Sequence, residues 1–111
     1  MAVTYKVLGQ VISTGTITTY DTIGAQVGAG KSWLVSTISI CNQTASSQTY
    51  RLAVTAALAP ANSEFIVFGA SIPANDTVTL TLGITMEAGK YLRCSSSSSS
   101  VSFSAFGTEI S

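Results

Sequence analysis

Apolar and polar residues alternate with a period of two along most of this chain, which is the pattern of half-buried β-strands. The alternation is strictest over 77–82, where Val78, Leu80 and Leu82 are separated by threonines. A strand in this segment would turn its three aliphatic side chains inward and its threonines outward. No segment shows a convincing helical period, so the pattern predicts an all-β protein.

The segment Ser32–Cys41 carries large residues at both parities, which is typical of a strand in the interior of a sheet. Trp33, Val35 and Cys41 share one parity, and Leu34, Ile38 and Ile40 share the other. We expect this segment to be a central strand, with one richly apolar face and one partly apolar face.

Six further segments are predicted strands: 3–12, 16–23, 48–55, 64–68, 91–94 and 101–106. In the first of them Val3, Tyr5, Val7 and Val11 share the apolar parity, which we expect to face the core. The segment 64–68 is apolar at both parities, which predicts burial on both sides.

Short polar or glycine-rich stretches separate the strands. The stretch 42–47 predicts a hairpin between the central strand and 48–55. Loops are predicted at Gly24–Gly30, which has three glycines, at Ile72–Asp76, and at 83–90. The unbroken serines Ser95–Ser100 predict a flexible loop.

About eight short strands with frequent turns indicate an antiparallel β-sandwich of jelly-roll or related Greek-key type. An up-and-down barrel remains an alternative at this point. A chain of 111 residues fits one domain, 1–111.

Charge is scarce, which excludes several classes of partner. Charged residues make up 9% of the chain and the formal net charge is +0, whereas an average soluble protein has about 25%. The chain has no net positive charge that would attract a phosphate backbone or an anionic bilayer. We therefore expect neither nucleic-acid nor membrane binding. The absence of a long apolar run and of a basic amino-terminal region predicts no spanning helix and no signal peptide, and therefore folding in a cytoplasm.

Groups that could perform catalysis are few and scattered. The chain has no histidine, and its five acids are Asp21, Glu64, Asp76, Glu87 and Glu109. We expect no catalytic, cofactor-binding or metal-binding residues and no enzymatic activity, because histidine, the commonest general base and metal ligand, is missing. An accidental pair of carboxylates of the kind that glycosidases use is the open alternative.

One motif imitates a nucleotide-binding loop. Gly28–Ser32 resembles the end of a P-loop, but Ala25 occupies the position of the first glycine and the following segment is a predicted strand. A P-loop must lead into a helix whose amino terminus holds the phosphate. We therefore interpret the motif as a glycine turn with a solvated lysine.

Cysteines and aromatic residues leave alternatives open. Cys41 and Cys94 are expected to be reduced packing residues, with a disulfide as the alternative if their Cα atoms lie within about 7 Å. Tyr20, Tyr91 and Trp33 could form a platform for a sugar ring, but core packing is the preferred interpretation for each. Two N-glycosylation patterns, at Asn42 and Asn75, are attributed to chance.

Several stretches together resemble the small virion structural proteins of tailed bacteriophages, including phages of cyanobacteria. The stretches are Tyr5–Gln10, Gly30–Lys31, Val35–Ile38, Cys41–Asn42, Thr49–Arg51, Ala53–Val54, Ile72–Thr77, Leu80–Thr85, Val101–Phe103, Phe106–Gly107 and Glu109–Ile110. These are turns and strands rather than catalytic motifs, so the resemblance implies a place in a particle and not a reaction.

The resemblance implies a non-enzymatic virion protein made in the host cytoplasm. The preferred role is a capsid decoration or cement protein that stabilises the head through symmetric contacts. Its partners would be other copies of itself, as a trimer, and the major capsid protein, with the first or last strand at the contact. The alternative is a tail, collar, baseplate or fibre module, whose loops Gly24–Gly30 and Ser95–Ser100 would contact a tail protein or a host glycan.

Overall fold

The computed structural model describes residues 2–111, which form eight strands and one short 3-10 turn. The strands are β1 Val3–Ile12, β2 Asp21–Thr22, β3 Ser32–Asn42, β4 Gln48–Thr55, β5 Phe65–Ile72, β6 Thr77–Met86, β7 Tyr91–Ser96 and β8 Val101–Ile110. The 3-10 turn is Asn62–Glu64. The all-β prediction is confirmed for this part of the chain.

Two four-stranded antiparallel sheets make the sandwich. Sheet A has the order β1-β8-β3-β6, and sheet B has the order β2-β7-β4-β5. The pairs β1·β8, β2·β7, β3·β6 and β4·β5 are nested inside one another, like one long hairpin folded over into two sheets. This is the jelly-roll strand order, so the predicted sandwich is confirmed and the up-and-down barrel is excluded.

The predicted hairpin between the central strand and 48–55 is wrong. β3 pairs with β6 and β8, whereas β4 lies in the other sheet and pairs with β5 and β7. The side-chain amide of Asn42 donates to the carbonyls of Ser46, Ile72 and Pro73 at 2.9–3.1 Å. This buried amide joins the β3–β4 connection to the β5–β6 connection, where the chain passes from one sheet to the other.

The prediction of an interior strand at 32–41 is confirmed, but its division into two faces is wrong. A bulge at Ser36 shifts the register of β3 against both neighbours. Because the extra residue reverses the alternation, Trp33 and Val35 before it and Ile38 and Ile40 after it all face the core. Leu34 faces outward with 41% of its surface exposed.

The core between the sheets is aliphatic with a few aromatic side chains. Its fully buried members include Ile23, Val35, Ile38, Ile40, Leu52, Ile72, Met86, Leu92, Val101 and Phe103, with Trp33 and Tyr50 almost fully buried. In β6 the inward placement of Val78 and Leu80 is confirmed, but Leu82 is 45% exposed because it lies in an irregular stretch next to Gly83. β6 also continues to Met86, through part of the stretch predicted as a loop.

The predicted faces of two edge strands are also wrong. In β1 Val3, Tyr5 and Val7 are 49%, 84% and 50% exposed, while Leu8, at a bulge, is buried. Of the predicted set only Val11, which lies beyond the bulge, packs against the core. In β5 Phe68 is 61% exposed, because this strand is an edge of sheet B rather than a doubly covered strand. Periodicity identified both strands but could not show which face the opposite sheet covers.

Two other segments differ from their predictions. Of the predicted strand 16–23 only Asp21–Thr22 is paired, and the preceding residues form a turn. The serine run is not wholly a loop, because Ser95 and Ser96 are fully buried residues of β7. Ser97 then accepts a hydrogen bond from the backbone N–H of Thr49, which holds the following turn against β4.

Candidate interaction surface

Two of the five carboxylates bind groups of nearby turns. Asp21 accepts from the backbone and hydroxyl of Thr14, and the carboxylate of Glu64 accepts from the backbone N–H of Ala61. That backbone hydrogen bond is the main reason that the pKa of Glu64 lies below its usual value. No group of three or more metal-ligating side chains occurs among residues 2–111.

The P-loop imitation is a turn, as predicted. The backbone N–H of Lys31 donates to the carbonyl of Gly28 at 3.1 Å, Gly30 has a φ of 73°, and β3 follows directly. The lysine side chain is 46% exposed and lies 3.7 Å from Glu109 Oε1. No helix amino terminus is present at this point to receive a phosphate.

Both cysteines are free thiols, which confirms the preferred prediction over the disulfide. Cys94 is fully buried in the core, and burial raises the pKa of its thiol far above the usual range. Cys41 is half-buried and pairs with Ser102 of β8, so it faces away from the core.

The three aromatic residues considered as an alternative sugar platform do not come together. Trp33 is in the core as expected, where its indole Nε1 donates to Glu109 Oε2 at 2.9 Å. Tyr20 directly precedes β2 and Tyr91 begins β7, both strands of sheet B, and the two side chains are half-buried. Tyr20 instead packs against Phe65, with ring centroids 5.8 Å apart.

The outer face of sheet B carries an aromatic and arginine cluster that the sequence pattern did not indicate. The guanidinium of Arg51 lies 3.9 Å from the ring centroid of Phe68 and donates to the hydroxyl of Tyr20. Phe65 and Phe68 pack edge to face, and with Asn62 they line an open cavity of about 400 Å³. Arginine stacked over an aromatic ring is a stabilising contact. The cluster therefore holds the β1–β2 connection, through Tyr20, and the β4–β5 connection, which ends at Phe65, against the sheet.

Arg93 holds the same loops from the neighbouring strand. Its guanidinium donates to the carbonyls of Leu58 and Tyr20 and to the hydroxyl of Thr22. The outer face of sheet B is therefore largely covered by the chain itself, and Ala53, Thr55 and Ser95 beneath these loops are fully buried.

Within residues 2–111 sheet A has no such cover, and about half of its outer face is mostly apolar. Paired residues share a face, so the register identifies the side chains that point outward. Towards the start of β1 the apolar ones are Val3, Tyr5, Val7, Leu34, Phe106 and Ile110, which surround Thr108 and which we call the apolar face. Four of these six are more than 40% exposed.

The other half of the same outer face is mostly polar. Its polar residues are Gln10, Ser39, Thr77, Thr79, Ser102 and Ser104, and Ile12 and Cys41 lie among them. The side chains of Gln10 and Ser104 are hydrogen-bonded to each other at 3.3 Å. One end of the outer face is thus rich in hydroxyl groups, with Ile12 exposed among them, and the other end is mostly apolar.

The apolar face continues to a free strand edge. β1 pairs only with β8, and it is an edge of sheet A ten residues long. Soluble proteins usually protect such an edge, because its unpaired N–H and C=O groups can pair with another chain. Together, the apolar face and the free edge of β1 form the candidate interaction surface.

Glu109 anchors the end of the sandwich next to this surface. Its Oε1 lies 3.3 Å from Nζ of Lys6 in β1 and 3.7 Å from Nζ of Lys31 before β3, and its Oε2 accepts from Trp33. The indole hydrogen bond is the main reason that the pKa of Glu109 lies below its usual value. The contact fixes β1 to β8 and β3 at the end where the apolar face lies.

Comparisons with known proteins found no matching family model and no matching curated protein. A structure of infectious bursal disease virus, Gx strain, aligns over 97% of this chain and 31% of its own, with 13% identity and a TM-score of 0.48. Two structures of a pentameric capsid protein from metagenomic phage sequences align over 96% of this chain, with 20% and 17% identity and TM-scores of 0.29 and 0.28. The alignments span 59% and 63% of those two chains.

These similarities are too low to carry an argument about function, and the fold assignment rests on the strand order itself. Within residues 2–111 no helix is long and apolar enough to cross a membrane.

Proposed function

We propose that this chain is a non-enzymatic structural protein of a bacteriophage virion, which acts by burying its apolar face against other protein subunits. The observation that carries the proposal is the exposed apolar half of sheet A beside the unpaired edge of β1. A monomer gains nothing from such a surface, since contiguous exposed apolar patches favour aggregation unless a partner covers them.

The sequence supports the same role. The resemblance to small virion proteins of tailed phages extends over most of the chain, and it includes Tyr5 and Val7 of β1 and Phe106 and Ile110 of β8 on this surface. Low charge and a hydroxyl-rich exterior suit a subunit that spends its lifetime in contact with copies of itself and with capsid subunits.

The preferred site of action is the outside of the head, as a decoration or cement protein. Burial of one large aliphatic or aromatic side chain contributes about 1.5–3 kcal/mol, so a few such residues at a junction between capsid subunits would add useful contact energy. Repetition over the symmetric shell would multiply that gain. A trimeric assembly stays a prediction, to be tested by measuring the mass of the purified assembly.

A tail, collar, baseplate or fibre role is the alternative, and the sheet B cluster is the feature that favours it. Phe68 is 61% exposed beside the open cavity, and an aromatic ring face next to an amide suits a sugar ring. Glycan binding by the purified protein, lost in Phe68→Ala, would support this alternative.

The deciding experiment measures the number of copies per particle by quantitative mass spectrometry of purified virions of the phage that encodes the chain. Hundreds of copies on heads are expected. Three, six or twelve copies at the tail would support the alternative, and absence from virions would overturn the proposal.

A pair of variants tests the surface. Leu34 is in the interior strand β3, on the apolar face but away from the free edge, and Ser39 is on the same strand and the same face within the polar half. Leu34→Lys should lower binding to virions grown without the protein by at least about tenfold, because an unpaired ammonium would be buried. Ser39→Lys should bind within about twofold of wild type, since only a rim charge changes. Equal binding by the two variants would show that another surface makes the contact.

A further inference from the structure

We infer that the free edge of β1 pairs with β1 of a second copy, antiparallel about a two-fold axis at Tyr5, and joins two A sheets into one eight-stranded sheet. The inference deepens the proposed function by naming one partner, a second copy of this chain, and the strand and register of the contact. It relies on the proposed function only for the place of this contact in the virion.

The hydrogen bonds between β1 and β8 show which backbone groups are free. Ala2 and Ser111 exchange reciprocal N–H to C=O bonds of 2.8 and 2.9 Å. In an antiparallel ladder such bonded pairs alternate with pairs that do not bond, so Thr4 and Lys6 also bond to β8. The N–H and C=O groups of Val3, Tyr5 and Val7 therefore point away from β8, to the free edge.

The bulge in β1 sets the length of the available edge. The register to β8 is regular from Val3 to Val7 and shifts between Val7 and Gly9. A bulge bends and twists its strand, so an added strand cannot stay in register past it. The regular free edge is thus the five residues Val3–Val7, and its centre is Tyr5.

Pairing about a two-fold axis at Tyr5 uses every free group of this edge. Tyr5 would bond with Tyr5 of the second copy, and Val3 with Val7 in both directions, which gives three bonded pairs and about six hydrogen bonds. Moving the axis to Lys6 would set two lysines directly opposite each other, which is destabilising in a sheet. Moving it to Thr4 would leave Val7 beyond the regular edge of the second copy and lose a third of the bonds.

Side chains fit the same register. Val3, Tyr5 and Val7 lie on the outer face of sheet A, so Val3 would contact Val7 and the two Tyr5 rings would meet, which covers the most exposed of these side chains. On the other face Lys6 would lie opposite Thr4 of the second copy. Its charge is already held by Glu109 at 3.3 Å, so the lysine does not repel the added strand.

Variants with one accessible cysteine, in a Cys41→Ser background that keeps the buried Cys94, test the register. In the inferred pair the Cα atoms of residue 5 are about 5.5 Å apart, within disulfide range. Those of residue 4, displaced by two positions along the strands, are about 8 Å apart, beyond that range. Under mild oxidation Tyr5→Cys should form a covalent dimer at least about tenfold faster than Thr4→Cys. Equal rates, or faster crosslinking of Lys6→Cys, would overturn the inference.

Removal of one free backbone N–H tests the pairing itself. Tyr5→Pro deletes an N–H that bonds to nothing in the subunit, and proline is tolerated at the free edge of a sheet. Tyr5→Thr removes the aromatic ring but keeps the N–H. Sedimentation velocity should show loss of the two-fold contact in Tyr5→Pro and its retention in Tyr5→Thr. Equal behaviour of the two variants, or a wild-type protein that is monomeric at all concentrations, would contradict the inference.

Thermal unfolding of Tyr5→Pro checks that the subunit is folded. If it is not folded, the crosslinking rates alone test the pairing of β1.

The virion role and the β1 pairing can fail separately. A chain that pairs through β1 but is absent from virions would remove only the virion role. A chain abundant in virions whose residue 5 does not crosslink would remove only the pairing.

Discussion

Single polar side chains hold this sandwich together at places where strand patterning gives no hint of them. The clearest is Glu109, which joins β1, β8 and β3 through Lys6, Lys31 and Trp33. The sequence identified Trp33 as core and Glu109 only as a scattered acid. Their contact could not be foreseen, because the two residues are 76 positions apart and meet only through strand register.

Glu109 should make stability depend on pH. Its folded-state pKa lies below the ordinary value of 4.5, so the carboxylate stabilises the fold above that value, and the contribution is lost as pH falls through the folded-state pKa. Glu109→Gln should therefore lower the free energy of unfolding in urea at pH 7, by an amount that shrinks towards pH 3. Glu87→Gln is the control, since that side chain is 78% exposed and should matter little. A Glu109→Gln deficit that is unchanged at pH 3 would show that the charge is not its source.

Removal of the hydroxyl group should have different effects on the stability of the fold at two neighbouring serines, Ser95 and Ser96. Both are fully buried, but Ser95 Oγ has no hydrogen-bond partner within residues 2–111, whereas Ser96 Oγ donates to the carbonyl of Ser98 at 2.7 Å. Ser95→Ala should be neutral or stabilising by up to about 1 kcal/mol, and Ser96→Ala should cost about 0.5–1.5 kcal/mol. Chemical denaturation of the two variants checks this, and a larger loss for Ser95→Ala would reverse the assignment.

At the scale of elements, the bulge in β3 decides which side chains reach the core. Without the extra residue at Ser36, alternation would place Trp33 and Val35 on one face and Ile38 and Ile40 on the other, as the sequence pattern predicts. With it, all four face inward. The pattern therefore identified the strand and its interior position but not its faces, because a bulge changes parity without a distinctive residue type.

Deletion of Ser36 should be severely destabilising. A strand without the bulge must turn two large core residues outward, and each such loss costs about 2–5 kcal/mol. We expect the deletion variant to lose its cooperative thermal unfolding transition, which circular dichroism monitors. Deletion of Ala29, in the exposed turn before β3, is the matched control and should lower the midpoint by only a few degrees. Similar behaviour of the two deletions would show that β3 tolerates an unbulged register.

For the whole molecule, two outer faces of different character define how it can associate. Loops held by Arg51 and Arg93 cover sheet B, and nothing within residues 2–111 covers the apolar half of sheet A. Assembly through sheet A should be driven by apolar burial and backbone hydrogen bonds, because the chain has five basic and five acidic residues and no net charge.

Salt should not dissociate the assembly. Raising sodium chloride from about 0.05 to about 0.5 M shortens the Debye length from over 10 Å to under 5 Å, which weakens only charge pairs. Replacing the chloride with sulfate should strengthen association, because excluded salts favour apolar burial. Sedimentation equilibrium measures the effect, and dissociation at high salt would indicate an electrostatic contact instead.

The assignment of residues 1–111 to a single domain remains a prediction.

The sequence by itself determined the elements and their class. Its period of two, its turn residues and its lack of charge and histidine predicted about eight antiparallel strands, a jelly-roll or related sandwich, an interior strand at 32–41 and reduced cysteines. These properties follow from local chemistry, because alternation, turn preference and charge are written in adjacent residues. They led to an expectation of assembly rather than catalysis.

Only the tertiary structure decided what each strand faces. It paired β1 with β8 and β3 with β6 and β8, sent β4 to the other sheet, and exposed Val3, Tyr5 and Val7, which the pattern had assigned to the core. An apolar residue on a strand is buried only if another layer covers that face, and coverage depends on residues far away in the chain. The candidate interaction surface is therefore a property of the assembled sheets, invisible in the order of residues alone.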